Sequence, residues 1–141
     1  NRVLKKGGRL IIFESYCSVV FQIATILMRH EGFDFTLDVW DEDKAKSNEQ
    51  DAWHGNIAVP HLIFDDKKKF DEKLGKYFKI EYEKLTECLI FLNSGGVTSK
   101  TKHIPMNNFF LNFLHFIDKI LVKLLPSLFC MGRRIVLTKS N

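Results

Sequence analysis

Arg2-Val3-Leu4-Lys5-Lys6-Gly7-Gly8-Arg9-Leu10-Ile11-Ile12-Phe13-Glu14 reads as the tail of a helix, a diglycine turn and a strand that delivers a carboxylate at its end. Residues 10–13 are a continuous apolar run, the pattern of a strand covered on both faces in a parallel α/β sheet. Gly7 and Gly8 supply the positive-φ freedom needed to stop a helix and turn straight into a strand. Ligands on open α/β sheets sit beyond the carboxyl ends of the strands, which is where Glu14 would emerge.

The segment Leu4-Lys5-Lys6-Gly7-Gly8-Arg9-Leu10 resembles the turn before the fifth strand of class I S-adenosylmethionine-dependent methyltransferases. Lys6 stands where that family usually has proline. The order of elements that follows is similar to the family's C-terminal half. The resemblance implies a Rossmann-like α/β sheet that ends in an antiparallel strand pair with a helical insertion. Residues 1–141 would then be the C-terminal, acceptor-binding part of one methyltransferase domain. The chain opens on Asn1 rather than methionine and contains no Gly-x-Gly-x-x-Gly or phosphate-loop pattern. The cofactor-binding residues are accordingly expected upstream of Asn1, and this stretch alone is expected to hold S-adenosylmethionine weakly or not at all.

Composition is that of a globular unit, with 45% hydrophobic and 27% charged residues. The net charge is +4, and its distribution says more than its total. Every acid except Glu14 and Asp118 falls between Glu31 and Glu87, while Lys100, Lys102, Lys119, Lys123, Arg133, Arg134 and Lys139 fill the last third. Such asymmetry suits an anionic partner or membrane surface, or else solvated faces balanced by the rest of a larger protein. The cysteines Cys17, Cys88 and Cys130 are odd in number, far apart and set in apolar surroundings. They read as buried reduced thiols, which fits a cytoplasmic protein with peripheral membrane contact left open.

Ser15 begins a mostly buried helix reaching Arg29, with Gln22, Thr25 and Arg29 as a narrow polar stripe. From Gly32 to Gly55 only Phe33, Phe35, Leu37, Trp40 and Trp53 anchor an acidic stretch. A loop longer than about 15 residues inside a compact domain is commonly a lid or binding loop. Residues 57–64 read as an apolar segment near the sheet edge. Asp65 or Asp66 then caps a short helix with Phe70 and Leu74 inward, stopped near Gly75. Residues 78–86 alternate as a half-buried strand, and residues 133–138 are the closing strand, the two forming the antiparallel pair. Between them, Asn107 or Asn108 caps a helix over 109–129 that Pro126 ends or kinks. Asp118, Lys119 and Lys123 lie too centrally for a membrane span, since each costs about 2.5–3.5 kcal/mol at a bilayer centre. The helix either caps the substrate site with its phenylalanines inward or lies in a membrane interface.

Asp51-Ala52-Trp53-His54-Gly55-Asn56 is similar to a segment that some of these methyltransferases carry after the fifth strand. Tryptophan offers a stacking face, glycine a close approach, and asparagine both a donor and an acceptor. The same residues also suit a loop that docks through its tryptophan and bonds its own backbone. Methyl transfer needs the acceptor aligned with the cofactor's sulfonium, and a base only where a hydroxyl or protonated amine is methylated. Glu14, His30, Trp53 and Asn56 are the candidate acceptor contacts, and His54 is the candidate base. His61, His103 and His115 read as surface or packing residues. No metal is expected, because close-spaced histidine or cysteine pairs are absent. No nucleic-acid partner is expected either, since the strands lack interleaved aromatic and basic residues. The reading is a methyltransferase acting on a small-molecule, saccharide-like or lipid-linked acceptor. The alternative is a non-enzymatic membrane-surface module built on 109–129.

Overall fold

The computed structural model describes residues 3–28, 32–41, 55–93 and 103–140. These form a small α/β unit around a three-stranded antiparallel sheet. Strand β1 (Arg9–Ser15), strand β2 (Phe78–Thr86) and strand β3 (Gly132–Lys139) lie in the order β1-β3-β2. Both outer strands run antiparallel to β3 and therefore parallel to each other. Register places Glu14 and Leu85 either side of Arg133, and Leu10 and Ile80 either side of Leu137. The expected pairing of the last two strands is present, with an irregularity between Ile80 and Tyr82.

The diglycine turn into β1 is present, but residues 3–6 ahead of it form a bend and turn rather than the expected end of a helix. Gly7 has φ 72° and donates its N–H to the Lys139 carbonyl at 3.0 Å. Gly8 donates to Lys5 O, and a Cβ on Gly8 would lie 2.8 Å from that same oxygen. Both glycines are thus required, one for its dihedral and one for its bareness. Gly7→Ala should lower unfolding free energy by about 1 kcal/mol through the left-handed conformation alone. Gly8→Ala should cost more, because backbone must move; urea denaturation of the two variants ranks them.

The environment of β1 differs from the expected interior strand. It has a hydrogen-bonded neighbour on one edge only among the described residues, and that neighbour is antiparallel. Leu10, Ile11 and Phe13 are 39%, 76% and 55% exposed. The physical reason is the strand's two-residue period. Ile11 and Phe13 lie opposite Val136 and Arg134, on a sheet face left open to solvent, where the Arg134 guanidinium is 5.2 Å from the Phe13 ring centre. Of the apolar run, Ile12 packs into the core of the opposite face.

That opposite face is covered. Ile135 and Leu137 are buried against Phe64 of helix α2 (Val59–Phe64) and Phe70 of helix α3 (Lys67–Leu74), with Trp40, Leu74, Phe78 and Ile80 around them. Asp66 caps α3 by accepting from Lys69 N at 2.9 Å, as its position implied. The apolar segment 57–64 is mostly helical. Pro60 sits in the first turn, where a missing N–H leaves no intrahelical bond unmade.

A second core closes the end of the sheet. It joins helix α1 (Val19–Met28), helix α4 (Leu89–Asn93), helix α5 (Asn108–Leu124) and helix α6 (Pro126–Phe129). Phe21 is fully buried and meets Phe91 edge-on at 5.8 Å, among Cys17, Cys88, Cys130 and Met131. Ser15 ends β1 and does not cap α1; the hydroxyl of Ser18 accepts from Phe21 N at 3.3 Å instead. The polarity of α1 also differs from the expected buried helix. Thr25 is buried, its hydroxyl donating to Gln22 O, while Ile23, Ile26 and Leu27 are exposed. Asn107 caps α5 by accepting from Phe110 N at 3.1 Å, and Pro126 divides 109–129 into two helices.

The least expected core residue is Asp118, which is 3% exposed. Its carboxylate accepts from Cys88 N, Leu89 N and Ile90 N at 3.2, 2.8 and 3.1 Å, satisfying the orphan donors that open α4. Asp118→Ala strands one buried and two half-buried N–H groups and should cost about 3 kcal/mol, given 1–3 kcal/mol for each unsatisfied buried donor. Asp118→Asn keeps one acceptor oxygen and should lose roughly half as much; chemical denaturation at neutral pH tests both.

Candidate functional site

Antiparallel pairing brings the carboxyl ends of β1 and β2 to the beginning of β3, where Ser15 and Thr86 flank Gly132. A shallow depression of about 380 Å³ opens there, lined by Tyr16, Asp65, Lys67, Glu83, Leu85 and Arg133. Arg133 organises it. Its side chain is 3% exposed and is paired with Asp65, with Nε 3.3 Å from Glu83 Oε1 in an ion-pair contact that lacks hydrogen-bond alignment. It also donates to Pro60 O at 3.2 Å and lies 4.8 Å from the Tyr16 ring centre. Lys67 completes the set by pairing with Glu83. The charges thus neutralise one another and tie α2 and α3 to the sheet. Burial, then the negative charge of Asp65, pushes the Tyr16 phenol above its ordinary range, while Arg133 opposes them. Tyr16 therefore stands at the depression as a neutral hydroxyl.

His61 joins this group. Its Nδ1 is 2.9 Å from Asp65 Oδ2, and its ring meets Tyr16 edge-on at 5.8 Å and Phe35 at 5.5 Å. His61 Nδ1 makes no aligned hydrogen bond, so the contact places the ring beside Asp65 without fixing its tautomer. His61 is expected from the sequence to be a surface or packing residue; the signal for its contact is the four-residue spacing to Asp65, the residue that ends α2.

Of the sequence-chosen residues, Glu14 lies where expected, near the carboxyl end of β1 and exposed. Asn56 serves as a backbone staple. Its Oδ1 accepts from Asp34 N at 2.9 Å and Ala58 N at 3.0 Å, and its Nδ2 donates to Asp34 O at 3.0 Å. Together with the Gly32–Asn56 bridge, it fastens one end of the acidic loop to the start of α2. His30, Trp53 and His54 lie outside the described residues, as does most of the expected lid. Among the described residues the structure gathers Tyr16, His61, Asp65, Glu83 and Arg133.

A second depression, of about 450 Å³, lies at the other end of the sheet around Gly7, Arg9, Lys79, Glu81 and Thr138. Glu81 there accepts from Arg9 Nε at 2.9 Å and from the Thr138 hydroxyl at 2.5 Å, and these bonds, that of Thr138 foremost, hold its carboxyl below the usual range. It is larger, but it faces away from the strands' carboxyl ends. No group of three or more metal-ligating side chains occurs among the described residues. Comparison of the chain with protein-family models, curated proteins and solved structures found no match.

Proposed function

We propose that this chain is the acceptor-binding side of an S-adenosylmethionine-dependent methyltransferase with a Rossmann-like sheet. The observation that carries the reading is the sheet itself. A closing strand lies antiparallel between β1 and β2, and among the described residues the outer edge of β1 has no hydrogen-bonded neighbour. An apolar strand with an unpaired edge is unfavourable in water and is normally paired or covered. Further parallel strands carrying the cofactor site would provide that cover, in agreement with the diglycine motif that precedes β1.

In this reading the acceptor lies over the carboxyl ends of β1 and β2, beside Tyr16 and Arg133. The cofactor supplies an electrophilic methyl group, and the chain's own residues position the nucleophile. His61, beside Asp65, would take the proton of a hydroxyl or ammonium acceptor, while Tyr16 supplies a neutral donor. Small-molecule, saccharide-like and lipid-linked acceptors all meet these requirements.

The test is transfer of labelled methyl from S-adenosylmethionine to a metabolite and lipid extract by the product of the complete reading frame. Label should move into an extractable product. His61→Asn should lower kcat by about 10²-fold or more, with cofactor affinity unchanged. An absence of transfer, or loss of cofactor affinity in place of turnover, contradicts the assignment. A non-enzymatic membrane module would show no cofactor dependence at all.

A further inference from the structure

Helix α5 is amphipathic with its apolar side outward. It meets the body through Leu114, Ile117, Asp118, Leu121 and Val122, all buried or half-buried. The rest faces solvent, and it is not polar. Phe109, Phe113, Phe116, Ile120 and Leu124, at helical spacing along one stripe, are 74%, 53%, 60%, 41% and 69% exposed. The expectation that these phenylalanines fold inward over a substrate is therefore not met among the described residues. Over 17 residues the stripe runs for about 25 Å.

The charge beside this stripe has one sign. Asn112, His115, Lys119 and Lys123 form the adjacent exposed row. Asp118 is the sole acid in the sequence after Glu87, and it is buried in the cap of α4. The solvent-facing surface of α5 thus combines phenylalanine and aliphatic residues with lysines and bears no carboxylate. A two-fold copy of this surface would bring a second set of lysines to it with no exposed acid on either helix to pair them. Anionic lipid headgroups are complementary to both features, since they attract the lysines while the acyl boundary receives the phenylalanines. No helix among the described residues is long and apolar enough to cross a membrane, so α5 would lie in the surface plane.

We infer that α5 is an interfacial anchor that seats the protein on an anionic bilayer through Phe109, Phe113 and Phe116, flanked by Lys119 and Lys123. The inference stands apart from methyl transfer, and its test needs no cofactor. Vesicles of phosphatidylcholine containing about 30% phosphatidylserine, and vesicles of phosphatidylcholine alone, are sedimented with the protein at low and high salt. The anionic vesicles should carry the protein down, and added salt should release it. Lys119→Glu with Lys123→Glu should weaken binding at least about tenfold. Phe113→Ser with Phe116→Ser should do the same on both vesicle types, and because these side chains are exposed, circular dichroism should be unchanged. Equal sedimentation of wild type and the phenylalanine variant overturns the inference. So does a dimer in analytical ultracentrifugation that the phenylalanine variant dissociates while vesicles bind nothing, because a second copy then covers the stripe.

Discussion

Arg133→Ala should lower the free energy of unfolding by about 3–5 kcal/mol, the range for removing one partner of a buried ion pair. The loss has several sources. The guanidinium is almost wholly buried and contacts Asp65, Glu83, the Pro60 carbonyl and the Tyr16 ring. Removing it leaves two carboxylates converging on a partly buried space. It also releases α2 and α3 from the sheet, since Asp65 follows α2 and Glu83 lies in β2. Arg133→Lys should recover only part of the loss, because a point charge cannot meet the in-plane partners and the aromatic face together. Arg133→Met combined with Asp65→Asn and Glu83→Gln should lie well above Arg133→Ala in stability, because no buried charge is left unpaired and Lys67 is exposed. Urea midpoints at equal slope report all three; equal stability of Arg133→Ala and wild type would remove Arg133 from the centre of the fold.

Alkaline pH should unfold the protein steeply, and the cysteines are the reason. Cys17, Cys88 and Cys130 are free and buried, and desolvation pushes each thiol up to about 11. In the unfolded chain a thiol ionises near its ordinary value of 9.0. Between those values the unfolded state has lost protons that the folded state keeps, so stability falls as pH rises. Linkage sets the slope at about 1.4 kcal/mol per pH unit for each thiol, or roughly 4 for the set. This stabilisation is fully present below pH 9 and is lost as pH rises to about 11. Denaturant unfolding followed from pH 8 upward should show the decline, and Cys17→Ala with Cys88→Ala should flatten it by about two thirds. A stability profile that is flat through this range would contradict the burial of the thiols.

Local signals in the sequence were read correctly where one short segment contains the whole cause. Gly7-Gly8 fixes its own turn, Asp66 and Asn107 cap the helices that follow them, and the alternation of 78–86 names its strand. Features that depend on distant partners were not legible. The apolar run of β1 fits a strand covered on both faces, and only the sheet order shows its open edge. Asp118 looks like one more polar residue on a surface helix until α4 is placed over it. Arg133 reads as an ordinary strand residue until helix and strand residues lying 50 and 68 positions away converge on it. The Asp51–Asn56 motif drew attention to Asn56, whose role in the structure is to hold backbone. The lack of an exposed acid on α5 follows from the sequence once Asp118 is known to be buried.

Calorimetric titration with S-adenosylmethionine tests the central claim most directly. The product of the complete reading frame should take up the cofactor in a saturable, one-to-one manner, whereas residues 1–141 alone should give no heat of binding. A complete product that binds none would contradict the account, and so would an isolated chain that binds as tightly as the whole.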